Sequence, residues 1–164
     1  MEKVAIFVDV QNIYYTTKQT YQRHFDYQRF WNQATANREV VAAIAYAIDK
    51  GDSKQRGFQR ILRHIGFEVK LKPYIQRGDG SAKGDWDVGI TLDVMELAAQ
   101  VDVIILLSGD GDFDLLLHKV NQSYGVSTEV YGVPVLTAPS LINAAHRFIA
   151  IDDKLLLSRH ANVF

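Results

Sequence analysis

Residues 101–114 read VDVIILLSGDGDFD, and this stretch decides the fold that the sequence predicts. Six of its first seven residues are apolar and four are β-branched, which is typical of a strand buried on both faces of a parallel sheet. The apolar residues that follow favour a helix over 113–122. We therefore expect Asp110 and Asp112 in the turn between the carboxyl end of a strand and the amino end of a helix. Open α/β sheets bind their ligands at this position.

The alternate spacing of Asp110, Asp112 and Asp114 also allows two other interpretations. An aspartate at a helix amino end caps free N–H groups, but one cap does not account for three acids. A calcium loop needs Gly after its third Asp and Glu at its last position, where this sequence has Leu115 and Asn121. Closely spaced carboxylates repel one another, so we expect a cation between them.

Strand and helix patterns alternate along the rest of the chain. The predicted strands cover 4–10, 40–48, 67–75, 101–107 and 125–131. The predicted helices begin at 13, 26, 88, 113 and 140, and the last has an apolar stripe from Leu141 to Ile149. A further helix, with its apolar stripe over 58–65, follows a predicted turn at 50–53. Residues 76–84 are predicted to form a polar loop. This order indicates an α/β fold, a doubly wound parallel sheet of about five strands with helices on both faces.

The composition indicates one soluble domain over residues 1–164, with the last ten or so residues as a loosely packed tail. Hydrophobic residues make up 48% and charged residues 23%, as in ordinary globular proteins. The absence of cysteine excludes disulfides and thiolate metal sites and fits a reducing cytoplasm. The sequence has no signal-peptide pattern and no apolar window of about 18 residues, so we expect a cytoplasmic protein without a membrane span.

Charge and aromatic residues are unevenly distributed. Residues 50–83 contain nine basic residues and three acids, whereas residues 84–118 contain eight acids and neither Lys nor Arg. A metal-dependent enzyme that acts on a polyanion needs such a pairing, although solvated faces explain it equally well. Residues 13–33 are rich in aromatic side chains, most of which we expect in the core, with one or two available to stack on bases.

Acidic residues follow three separate predicted elements. Asp9 ends the first strand, Asp110 and Asp112 end the fourth, and Asp87 or Asp85 begins the helix that leads to that strand. Parallel strands end at the same edge of the sheet, so these acids should converge there. Oxygen ligands without cysteine select Mg²⁺ or Mn²⁺ over zinc.

Three segments carry a family resemblance: FVDVQNIYY at 7–15, KGDWDVGITLD at 83–93 and VIILLSGDGDF at 103–113. Together they resemble the NYN domain, a PIN-like nuclease group that includes LabA-like bacterial proteins, over nearly the whole chain. The resemblance implies a PIN-like α/β fold, a divalent metal held by aspartates, and cleavage or binding of RNA. It also implies roles for individual residues. The metal-site and catalytic acids would be Asp9, Asp87, Asp110 and Asp112, and the supporting residues Asn12, Asp85, Asp93, Ser108 and Asp114.

Two of these acids need comment. Asp85 is an extra acid beside Asp87, so the choice of ligand between them stays open. Asp93 lies six residues past Asp87, about 120° away around an ideal helix, so we expect it to support the site rather than to bind the metal.

The sequence as a whole predicts a metal-dependent ribonuclease that hydrolyses single-stranded RNA with Mg²⁺ or Mn²⁺. Four basic residues are expected to hold the RNA phosphates: Arg56, Arg60, Arg77 and Lys83. One alternative is an RNA-binding or protein-interaction module with a weak or inactive site, and another is a phosphatase with a small substrate. A homo-oligomer or a protein partner is compatible with all three.

Overall fold

The computed structural model of the protein describes residues 1–73, 75–76, 82–83 and 85–159, with only the backbone at 75–76 and 82–83. The strands are β1 (Glu2–Asp9), β2 (Arg38–Asp49), β3 (Glu68–Pro73), β4 (Ile75–Gln76), β5 (Ala82–Lys83), β6 (Val103–Leu107), β7 (Ser127–Gly132) and β8 (Arg147–Ala150). The helices are α1 (Val10–Tyr21), α2 (Tyr27–Ala34), α3 (Ser53–Ile65), α4 (Asp87–Leu97), α5 (Asp114–Tyr124) and α6 (Pro139–Ala144).

Six strands form one parallel sheet in the order β3-β2-β1-β6-β7-β8. The chain builds the sheet outward from β1 to β3, returns to the centre at β6, and then builds outward to β8. The order therefore reverses between β1 and β6, and this switch point is where doubly wound sheets form ligand clefts. The predicted α/β fold class is confirmed, with six strands instead of about five.

Helices cover both faces of this sheet. Alternate residues of β1 enter different cores: Val4, Ile6 and Val8 pack with α1 to α3, while Ala5 and Phe7 pack with α4 to α6. All five side chains are fully buried. A strand covered on both faces must be apolar throughout, which is why β1 and β6 were predicted from short continuous apolar runs.

The aromatic segment 13–33 divides between the core and the surface. Phe25, Tyr27 and Phe30 are buried, as predicted for most of these residues. Tyr15 on α1 is 49% exposed. The predicted turn near His24 is confirmed, because α1 ends at Tyr21 and Asp26 caps α2 by accepting the N–H of Arg29.

The predicted helix over 140–149 is wrong in its second half. Helix α6 ends at Ala144, and residues 147–150 instead form β8, paired in parallel with β7. Phe148 packs on the α4–α6 side and Ile149 on the α1–α3 side, as alternating strand residues do. The open edge of β7 supplies backbone hydrogen-bond partners that no local pattern reveals.

The boundary between the predicted third strand, 67–75, and the predicted loop, 76–84, also differs in the structure. Strand β3 lies at the edge of the sheet, as Pro73 suggested, and it ends there because proline has no N–H for the ladder. The next residues, 75–76, pair antiparallel with 82–83 in a separate ribbon, so part of the predicted loop 76–84 is a strand pair.

The segment after β8 is fixed as far as residue 157. Leu155 and Leu156 are buried, and the N–H of Asp26 donates to the carbonyl of Leu155 at 2.8 Å. The N–H of Leu157 donates to the carbonyl of His24, also at 2.8 Å. The start of the predicted loose tail is therefore part of the core, and residues 160–164 lie outside the described part of the chain. None of the described helices is long and apolar enough to cross a membrane.

Candidate metal centre

Asp9 lies at the switch point of the sheet, at the carboxyl end of β1. Its carboxylate accepts hydrogen bonds from the backbone N–H of Asn12 at 3.4 Å and from the hydroxyl of Ser108 at 3.2 Å. The first bond caps α1, and the second links the end of β1 to the residue that follows β6. Asp9 is therefore held between two neighbouring strand ends, with its orientation fixed from both.

The loop after β6 is attached to the same point by short polar contacts. The fully buried Ser108 hydroxyl accepts the N–H of Asp110 at 3.2 Å, and the side-chain oxygen of Asn12 accepts the N–H of Gly109 at 2.9 Å. Asp110 accepts the N–H of Asp112 at 2.9 Å. Asn12 and Ser108, both expected to support the site, thus contact the loop that carries two of its acids.

Gly109 shows how closely this loop is packed. A Cβ atom at this position would lie 2.6 Å from the carbonyl oxygen of Leu136, closer than real Cβ contacts. Glycine is therefore required at 109 by the approach of a neighbouring backbone.

Three carboxylates converge beside Asp9. One oxygen from each of Asp87, Asp110 and Asp112 lies within 4.8 Å of the other two. Asp87 comes from the first turn of α4, whereas Asp110 and Asp112 come from the loop after β6. Segments that are distant in sequence therefore bring together a group of oxygen donors of the kind that binds a divalent cation.

The electrostatics show that these acids crowd one another. Burial raises the pKa of Asp9 to about 6; its hydrogen bonds from Asn12 and Ser108 oppose the rise, and the charge of Asp110 adds to it. Burial also raises the pKa of Asp87 to about 7, with further contributions from a hydrogen bond to Asp110 and from the charge of that residue. The like-charge part of these shifts is the repulsion that a bound cation would relieve.

Asp9, Asp85 and Asp114 lie outside this group of three. The carboxylate of Asp85 is exposed and accepts the N–H of Asp87 at 3.3 Å, so it acts at the start of α4. Lys72 donates to the Asp85 carbonyl at 3.0 Å and lies 4.4 Å from the ring centre of Trp86. Asp114 occupies the first turn of α5. This geometry favours Asp87 over Asp85 as a ligand.

Asp93 has different partners. Lys70 of β3 lies 2.7 Å from its carboxylate, and the hydroxyl of Tyr46 donates to the same oxygen at 2.8 Å. These contacts neutralise Asp93 and tie α4 to β2 and β3. If Asp93 supports the site, it would do so through the position of α4. Neither Lys70 nor Tyr46 was predicted, because both lie inside strand patterns with no local sign of a polar partner.

The predicted RNA-binding residues are only partly described. Arg56 and Arg60 line a hollow of about 520 Å³ beside α3, together with Arg63, and Arg56 also donates to the carbonyl of Gly51 at 2.7 Å. Arg77 lies outside the described residues, as does the side chain of Lys83. The structure therefore groups two of the four and adds Arg63, which follows Arg56 and Arg60 on the same face of the helix.

The doubly wound sheet, with acids clustered at its switch point, defines a PIN-like α/β domain. The chain belongs to the NYN domain family, whose profile matches residues 3–152. It is 34% identical to the low amplitude and bright protein LabA of Synechococcus elongatus, over 92% of this chain and 84% of LabA. A crystal structure of a protein of unknown function from Vibrio parahaemolyticus is 61% identical, covers 95% of this chain and 96% of that one, and superposes with a TM-score of 0.91.

More distant structures share the fold alone. A carbohydrate kinase from Agrobacterium tumefaciens is 12% identical over 90% of this chain and 60% of its own, with a TM-score of 0.52. At that identity, the likeness concerns the arrangement of the sheet and its helices.

Proposed function

We propose that this protein is a metal-dependent ribonuclease that hydrolyses RNA phosphodiester bonds with Mg²⁺ or Mn²⁺. The observation that carries the proposal is the group formed by Asp87, Asp110 and Asp112, with oxygens within 4.8 Å of one another at the switch point of the sheet. Membership of the NYN family, within the PIN-like nuclease superfamily, supports the same chemistry. A polyanionic substrate also accounts for basic residues on α3 near a cluster of acids.

The residues present fit a hard divalent cation. Asp87, Asp110 and Asp112 would hold it, with Asp9 as the fourth acid, and all four offer oxygen, the donor that Mg²⁺ and Mn²⁺ prefer. Burial is the main reason for the raised pKa values of Asp9 and Asp87, and the like charge that adds to them is what a bound cation would offset. When bound, such an ion polarises a phosphate oxygen and lowers the pKa of water.

The residues of the chain itself fix the positions of the acids. Ser108 and the N–H of Asn12 fix Asp9, while Asn12 and Ser108 also fix the loop of Asp110 through its backbone. Carboxylates held before the substrate arrives need not reorganise during the reaction, which is the main advantage of a preformed site. Arg56 and Arg60 would hold phosphates of the RNA strand away from the cleaved bond. We propose the same role for Arg77 and Lys83.

One set of assays tests the proposal against its alternatives. The purified protein is incubated with end-labelled single-stranded RNA, DNA of the same sequence and a chromogenic phosphate ester, each with Mn²⁺ and with EDTA. We expect the protein to cleave RNA in the presence of Mn²⁺ and to leave it intact in EDTA. Hydrolysis of the ester without RNA cleavage would indicate a phosphatase, and RNA binding without any hydrolysis would indicate a binding module.

A further inference from the structure

A cavity of about 610 Å³ opens beside the metal centre, between α1 and the start of α3. Val10 and Gln11, which directly follow Asp9, line its near end. Its size is within the range of ligand pockets, roughly 300–1,000 Å³, so it is large enough for a base with its sugar. The cavity therefore begins at the residues that directly follow Asp9 in the chain.

One wall of the cavity is aromatic. Tyr14 and Tyr15 of α1 both line it, with ring centres 5.3 Å apart and planes at 77°. Tyr14 is stacked on His24, with ring centres 5.6 Å apart and planes at 17°, which backs it from the protein side. Tyr15 is 49% exposed, so it presents ring surface to a planar ligand.

The cavity also carries positive charge. Its lining includes Lys18, Lys50 and Lys54 against one acid, Asp52, whose carboxylate caps α3 by accepting the N–H of Gln55 at 2.7 Å. Lys18 lies 5.4 Å from the ring centre of Tyr14. Ammonium groups next to an aromatic face match a nucleotide, which carries a phosphate beside a planar base.

We propose that this cavity binds an unpaired nucleotide of the RNA strand adjacent to the scissile phosphate. Its base stacks on Tyr15, and Lys18 and Lys54 contact the neighbouring phosphates. The inference rests on the proposed ribonuclease function. The base must come from a single strand, because a base inside a duplex is already stacked on its neighbours. The cavity thus makes the enzyme select single strands while tolerating any base, since every base has a π-face.

Substitution of Tyr15 tests the stacking contact. Binding of a fluorescein-labelled ten-nucleotide oligouridylate is measured by anisotropy in EDTA, so that cleavage does not interfere. Loss of one stacked base weakens binding by about 5- to 150-fold, and we expect this for Tyr15→Ala. Tyr15→Phe keeps the ring and should bind like the wild type. The matched control is Tyr124→Ala, since Tyr124 is 45% exposed at the far end of α5.

Salt dependence tests the lysines separately. Each phosphate contact on a single strand contributes about 0.7 to the slope of log affinity against log salt. The variant Lys18→Ala/Lys54→Ala should therefore have a slope lower by about 1.4. Lys3→Ala is the control, because Lys3 is exposed near the amino end of β1, at the opposite edge of the sheet.

The outcomes separate this inference from the proposed function. The cavity would not be a nucleotide site if Tyr15→Ala left the affinity for RNA unchanged, or if the wild type did not bind RNA at all. The same conclusion would follow if unlabelled duplex RNA displaced the labelled oligouridylate as well as unlabelled single-stranded RNA does. If the wild type still cleaved RNA with Mn²⁺, the ribonuclease proposal would stand alone. Binding that depends on Tyr15 without any Mn²⁺-dependent cleavage would support the cavity and overturn the ribonuclease.

Discussion

At the scale of single residues, neighbours decide what each aspartate does. Burial and the neighbouring Asp110 raise the pKa of Asp87 to about 7, whereas Asp93, on the same helix, is paired with Lys70. The sequence predicted the cluster because each of its acids follows or precedes a recognisable strand or helix. It could not predict the surroundings of Asp93, whose partners lie 23 and 47 residues away along the chain.

The first prediction concerns the acids of the metal centre. Asp110→Asn and Asp9→Asn should each lower Mn²⁺-dependent RNA cleavage by at least about tenfold, because loss of a ligand removes more than 1.4 kcal/mol of transition-state stabilisation. The rate is measured on labelled RNA at saturating Mn²⁺. Glu39→Gln is the matched control, since Glu39 is exposed near the amino end of β2. Full activity in either aspartate variant would contradict its assignment as a ligand.

The second prediction concerns Asp93. Asp93→Ala should lower the free energy of unfolding by about 1–3 kcal/mol, because the buried hydroxyl of Tyr46 loses its acceptor. The rise in melting temperature caused by Mn²⁺ should remain, since Asp93 contacts Lys70 and Tyr46 rather than the acidic group. Urea denaturation gives the first quantity and a thermal scan the second. A variant of normal stability that no longer responds to Mn²⁺ would place Asp93 at the metal instead.

At the scale of elements, the sequence predicted the long or strongly patterned helices and strands and missed a short strand. The central strands were predicted from continuous apolar runs, and α3 from an apolar stripe at helical spacing. Strand β8 was not, since four residues with apolar Phe148 and Ile149 fit the helix stripe that begins at Leu141 equally well. Residues 147–150 form a strand because they pair with β7. No local sequence pattern reveals that these two segments are neighbours.

The third prediction compares two glycines. Gly109→Ala should destabilise the protein and impair cleavage, because the added Cβ would lie 2.6 Å from the backbone oxygen of Leu136 and displace the loop of Asp110. Gly57→Ala, within α3, has nothing within 4 Å of the added Cβ. It should stabilise the helix by up to about 1 kcal/mol. Urea denaturation measures both, and equal effects of the same sign would show that the loop after β6 tolerates displacement.

The fourth prediction concerns the basic face of α3. If Arg56 and Arg60 contact phosphates, the double alanine variant should bind single-stranded RNA with a salt slope lower by about 1.4 than the wild type. Arg147→Ala is the control, because Arg147 is exposed at the amino end of β8. Salt titrations that superimpose on those of the wild type would show that these arginines form an ordinary solvated surface.

At the scale of the whole molecule, the acidic group at the switch point opposes the stability of the fold that builds it. The folded state raises the pKa of Asp9 to about 6 and of Asp87 to about 7, from a usual value of 3.8. A raised pKa means that the folded protein binds protons more tightly than the unfolded chain does. The stability contributed by these protons is present at low pH and is lost as the pH rises from about 4 through about 7.

The last prediction follows from this loss of stability with rising pH. In EDTA, the melting temperature should fall between pH 5 and pH 8, and Mn²⁺ at about 100 times its Kd should raise it by roughly 5 to 10 °C at pH 8. Asp112→Asn removes one charge from the group and should therefore raise the melting temperature in EDTA while reducing the response to Mn²⁺. If wild type and variant gave identical curves with and without the metal, these aspartates would neither repel one another appreciably nor bind the cation, and the group would be an ordinary solvated acidic surface.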